Sequence, residues 1–181
     1  AFALPYRGFA ESIGVLPDGD LVVASRSTGV ARETGAECDA EAFVLSRVHD
    51  DGTLAWLRCN DPTSRATYSL ADGHAHVVVG PDGSIAMCAP FTGRMSWAGQ
   101  IGEASGDDDA SSAVVVSMDP SGNVRWARYA YGDVSCAELA VTDDGIVAAR
   151  IDNFPEPARV EVAGAAPANG PAVAAWSADG D

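Results

Sequence analysis

The sequence predicts an all-β chain made of three tandem, four-stranded antiparallel units, and two observations predict it. The turn triplets Pro17-Asp18-Gly19, Pro81-Asp82-Gly83 and Asp143-Asp144-Gly145 recur at near-constant spacing, each between two short apolar runs. A second glycine-bearing turn then follows in every unit, again between apolar runs. Asp-Gly between such runs is a hairpin signal, because glycine accepts the positive φ that tight turns require. Self-similarity at a period of tens of residues is the mark of a repeat architecture.

In the first copy, Ile13 to Leu16 is strand A and Leu21 to Ala24 is strand B. Phe43 to Val48 is strand C, and Thr53 to Trp56, after Asp50-Asp51-Gly52, is strand D. The second copy repeats this with Val77 to Val79, Ile85 to Cys88, Ala113 to Met118 and Asn123 to Trp126. The third offers Leu139 to Val141, Ile146 to Ala149 and Ala172 to Trp176, then the turn Ser177 to Gly180. The opening Ala1 to Gly8 matches Trp126 to Gly132, so it reads as a strand D placed ahead of the first strand A.

Four antiparallel strands per unit describe the blade of a β-propeller. The expected architecture is therefore three four-stranded blades in D-A-B-C permutation. Blade 1 covers about 9–60, blade 2 about 74–131 and blade 3 about 134–181. The N-terminal strand 1–8 of this or another chain completes blade 3. Single rings have four to eight blades. Three blades are thus expected to be part of a larger or oligomeric ring, through a homodimer or further blades of a longer chain. The start at Ala1 reads as a mature or trimmed product.

Gly-x-x-x-Trp after the C–D turn (Gly52 to Trp56, Gly122 to Trp126) resembles the tryptophan-docking pattern of quinoprotein-type propellers, and Asp119-x-x-Gly122-x-x-x-Trp126 fits it best. Pro90 to Gly99 is similar to a segment of the bacterial SBBP-type propeller repeat. The third copy departs from it, with Asp152-Asn153-Phe154-Pro155 in place of the glycine. The resemblance spans nearly the whole chain. It implies a structural repeat of exported bacterial proteins, used for adhesion or binding.

Composition narrows the function classes. Hydrophobic residues make up 47% and charged residues 20%, which is globular. No apolar run approaches the ~20 residues of a spanning helix. A net charge of −15 repels phosphate backbones and anionic membrane surfaces, so neither nucleic acid nor membrane insertion is expected. All eleven basic residues are arginine, which excludes lysine Schiff-base chemistry within this chain. Cys38, Cys59, Cys88 and Cys136 form no zinc pattern. Their even number suggests two disulfides in a secreted, periplasmic or cell-surface protein, with free buried thiols as the other reading. Four cysteines allow three pairings, and the spacing does not choose among them.

Trp56 and Trp126 read as wedges between neighbouring blades, since an indole buries some 150–250 Å². Candidate ligand residues fall in the connections between blades and strands. The connection from Cys59 to Gly73 holds Asp61, Arg65 and Tyr68, the residue types of a glycan-active site. His74 and His76 alternate, which places both imidazoles on one face of a strand. Asp107, Asp108 and Asp109 are hard oxygen ligands of the kind calcium takes, without the full calcium-loop pattern; a solvated acidic loop is the plainer reading. No nucleophile elbow or nucleotide loop occurs. The expectation is a non-catalytic exported binding or scaffold module for a protein or glycan. The alternative is a propeller hydrolase or lyase acting on glycans from the D–A loops.

Overall fold

The computed structural model describes residues 8–27, 38, 42–61, 74–103, 111–153, 159–162, 168–169 and 171–181. The N-terminal strand expected at 1–8 lies, but for Gly8, outside them. The described chain is all β and contains no helix; its four antiparallel sheets are all open.

The first sheet is a simple meander of β1 (Gly8–Val15), β2 (Leu21–Ser27), β3 (Phe43–Val48) and β4 (Leu54–Cys59). The second repeats it with β5 (His76–Val79), β6 (Ile85–Phe91), β9 (Ser112–Met118) and β10 (Val124–Tyr131). A hairpin of β7 (Arg94–Trp97) and β8 (Gln100–Glu103) is inserted between β6 and β9. The third sheet is β11 (Val134–Val141), β12 (Val147–Asn153) and β15 (Ala172–Trp176). Between β12 and β15, β13 (Arg159–Val162) and β14 (Ala168–Asn169) leave this sheet. β13 pairs instead with the outer edge of β10, through Ala130 with Val162 and Tyr131 with Glu161. The four-strand meander expected of each copy thus holds twice, and the described part of the third has three strands.

Six turns share one geometry, which explains the repeat of glycines. In each, the first residue donates its N–H to a carbonyl four residues on, as Leu16 does to Asp20 at 2.8 Å. The glycine N–H donates back to that first residue's carbonyl, as Gly19 does to Leu16 at 2.9 Å. Gly19, Gly52, Gly83, Gly122, Gly145 and Gly180 all have φ between 79° and 94°. That left-handed position closes a short hairpin and disfavours any residue with a Cβ.

The sheets stack in sequence order. β1 packs on β5, and β5 and β6 pack on β11. Gly14 permits the first approach: a Cβ there would stand 2.7 Å from Cγ2 of Val79. One core fills the first seam with Leu16, Val22, Phe43, Leu45, Trp56, Val77, Ile85 and Met87. A second fills the next with Cys88, Val115, Trp126, Val147, Ile151 and Trp176.

The tryptophans fasten these seams. A register shift precedes each, opposite Arg47–Val48 in β4 and between Val124 and Trp126 in β10. Such bulges re-aim the next side chain. Trp56 Nε1 then donates to Pro120 O at 3.2 Å, and Arg58 Nε to Gly122 O at 2.9 Å. One unit later, Trp126 Nε1 donates to Ala178 O at 3.1 Å, and Arg128 donates to Gly180 O at 2.6 Å. Each guanidinium also lies over its own indole, at 5.8 and 5.9 Å. Trp56 and Trp126 are buried, as the sequence led us to expect.

Two disulfides are present: Cys38–Cys59 within the first unit and Cys88–Cys136 across the seam between the second and third sheets. No free cysteine remains.

Candidate functional site

The seam between the first two sheets opens, at the end where β1 begins and β2 ends, into a cavity of about 440 Å³. That volume suits a small-molecule site. Phe9, Ala10, Glu11, Arg26 and His74 line it. Phe9 and Arg26 are register partners on β1 and β2, and the guanidinium sits 5.8 Å from the ring centroid. Phe9 remains 60% exposed, so most of its ring is open to a ligand. A register shift between Ala10 and Ser12 sets off Glu11, whose Oε2 accepts the N–H of Ala75 at 2.7 Å across the seam. Ser12 Oγ accepts the N–H of Val77 at 3.1 Å. Glu11 is therefore held in place by the neighbouring sheet. His74 is exposed and stands just ahead of β5.

This arrangement combines an open aromatic face with a carboxylate, a guanidinium and an imidazole. It can stack a ring and hydrogen-bond hydroxyl groups with donors and acceptors together.

The other sequence candidates fall elsewhere. His76 lies inside β5 and is half-buried, His74 is exposed just ahead of the strand, and the buried Ala75 and Val77 alternate with them. Strand pairing begins at His76, opposite Cys88. Asp61 is bound up in the fold. Its Oδ2 accepts Ser96 Oγ–H at 2.6 Å and Gly99 N–H at 2.8 Å, and its own N–H donates to Ser96 O. It thereby ties the end of the first sheet to the tip of the β7–β8 hairpin, where Ala98 takes a φ of 49°. Arg65, Tyr68, Asp107, Asp108 and Asp109 lie outside the described residues. Among the described residues no three His, Cys, Asp or Glu side chains are grouped to hold a metal ion.

On the opposite, turn-bearing end, Arg47 donates to Asp20 at 2.7 Å, to Asp18 at 2.6 Å and to Pro120 O at 3.0 Å. His49 Nδ1 lies 2.9 Å from Asp20 Oδ2. Burial alone would raise the Asp20 pKa, but the hydrogen bonds and charges of Arg47 and His49 outweigh it and hold the carboxyl below its ordinary 3.8. This cluster braces the first seam.

Phe9, Glu11 and Arg26 were not singled out by the sequence, yet a signal exists. At the equivalent places in the repeat stand Gly73 and Ser135, Ala75 and Ala137, and Pro90 and Asp152. The cavity is lined where the first copy departs from its sisters.

No protein-family model matches the chain, and no curated protein matches it.

Proposed function

We propose that the three stacked sheets are blades of a β-propeller, and that the chain is an exported, non-catalytic binding module holding a saccharide in the seam cavity. The observation that carries this reading is the open ring of Phe9 beside Glu11, Arg26 and His74. Sugar rings offer apolar C–H faces for an aromatic and hydroxyls for paired donors and acceptors. The net charge of −15 favours a ligand that is not itself strongly anionic. Two disulfides are of the kind that persist in oxidising compartments, which supports export.

The hydrolase alternative needs a free acid in the connection after β4. Asp61 instead spends Oδ2 on Ser96 and Gly99, which favours a structural role. A panel of neutral and acidic oligosaccharides, scored for both binding and cleavage, tests the choice. Binding without cleavage supports the module. Cleavage that Asp61→Asn abolishes would replace it with the enzyme reading.

A further inference from the structure

The seam cavity holds a carboxylate with no ion-pair partner among the described residues. Glu11 lines the cavity and takes part in none of the ion pairs found there. Its Oε2 accepts the Ala75 N–H at 2.7 Å, and its Oε1 has no hydrogen-bond partner among the described residues. The Ala75 amide fixes the carboxylate, and Ser12, which accepts the Val77 N–H at 3.1 Å, fixes the next position of the strand. A group held in place before its ligand arrives loses little freedom on binding. The acid is peculiar to the first copy. Ala75 and Ala137 stand at the equivalent places, so the repeat itself does not call for a carboxylate there.

The other charged group of the lining does not neutralise it. The Arg26 guanidinium lies over the Phe9 ring, 5.8 Å from its centroid, and no ion pair joins it to Glu11. His74, the remaining titratable group of the lining, is exposed.

Resting on the saccharide reading of this cavity, we infer that its preferred ligand is an oligosaccharide of amino sugars, whose ammonium group donates to Glu11. The exposed face of Phe9 takes the apolar face of the sugar and attracts the nearby positive charge. Arg26 donates to hydroxyl or ring oxygens. An acidic sugar is disfavoured, because its carboxylate would enter a chain of net charge −15 beside Glu11. A neutral sugar binds, but leaves the carboxylate without a counter-ion.

The test compares trisaccharides of one linkage that differ at a single carbon: oligomers of glucosamine, N-acetylglucosamine and glucose, bearing an ammonium, an acetamido or a hydroxyl group. Calorimetric titration into the whole chain should give the glucosamine trimer an affinity at least about tenfold above either counterpart, as a hydrogen bond between charged groups produces. Glu11→Gln keeps an acceptor oxygen for the Ala75 N–H and removes the charge. It should erase the preference at unchanged melting temperature. Asp50→Asn removes the same charge from an exposed turn at the opposite end and should retain the preference. Should Glu11→Gln fold poorly, the comparison of the trimers on the wild-type chain still decides. The inference is overturned, and the saccharide reading stands, if another saccharide binds as tightly as the glucosamine trimer, or if the preference survives Glu11→Gln or is lost in Asp50→Asn. Both are overturned if no saccharide binds.

Discussion

The indole of Trp56 lies over Gly122, and its Nε1–H donates to the neighbouring Pro120 carbonyl at 3.2 Å. A Cβ on Gly122 would stand 2.8 Å from Cδ2 of that indole. The same relation recurs between Trp126 and Gly180, where a Cβ would stand 2.7 Å from Cγ. Each seam is closed by a tryptophan from one unit seated on a turn of the next.

Gly122→Ala should therefore destabilise far more than Gly19→Ala. Both glycines have positive φ, but a Cβ on Gly19 meets nothing within 4 Å. Gly19→Ala should cost about 1 kcal/mol for backbone strain alone. Gly122→Ala adds displacement of a buried indole, and Trp56→Ala should cost about 3–5 kcal/mol. Urea unfolding of the three variants checks the order. Equal losses for the two glycine variants would show that the turn, and not the seam, sets the penalty.

The two disulfides should contribute unequally. Chain-entropy estimates give about 3 kcal/mol for the shorter loop and about 4 kcal/mol for the longer one. The loops span 21 residues for Cys38–Cys59 and 48 for Cys88–Cys136. Only the second ties two sheets together. Thermal unfolding of the paired Cys→Ala variants should show the larger drop for Cys88 and Cys136. A partial, early transition in that variant, with the third unit melting first, is the accompanying signature.

Acid should loosen the first seam through Asp20. Its folded pKa lies below the ordinary 3.8, so its stabilisation is full above about pH 4 and is lost as pH falls through the folded value. Asp82 acts in the same direction, because Ser84 donates to its carboxylate. Asp20→Asn should lower stability at pH 7 and flatten the fall in stability below pH 4. An unchanged acid limb in this variant would remove Asp20 from the account.

Asp61→Asn should free the β7–β8 hairpin without unfolding the seams. Amide exchange at Ser96 to Gly99 should accelerate, while that of β9 and β10 stays slow. Loss of protection throughout the second sheet would mean that Asp61 supports more than the hairpin tip.

Much of the fold was legible because its signals are residue-specific. Only glycine serves well at the left-handed position of six similar turns, so Gly19, Gly52, Gly83, Gly122, Gly145 and Gly180 marked the strands between them. The tryptophans were legible as wedges, but their partners are backbone carbonyls of Pro120 and Ala178, which no side chain advertises. The β7–β8 hairpin was missed although its two-residue turn holds Gly99 at φ 76°, because Ala98, at φ 49°, takes the first turn position where Asn, Asp or Gly would have completed the signal. β13 was missed because its partner β10 belongs to the preceding unit. The cavity escaped for a different reason. A repeat is read by likeness, and Phe9, Glu11 and Arg26 stand where the first copy is unlike the others.

The most direct test of the binding reading is a calorimetric titration of the best-binding oligosaccharide into the wild-type chain, Phe9→Ala and Ile13→Ala. Ile13 is as exposed as Phe9, on the same strand but away from the cavity lining. We expect saturable binding to the wild type, unchanged affinity in Ile13→Ala, and at least about a tenfold loss in Phe9→Ala at equal melting temperature, as removal of an aromatic anchor produces. Binding that survives Phe9→Ala undiminished, or no binding to any saccharide, would contradict the account.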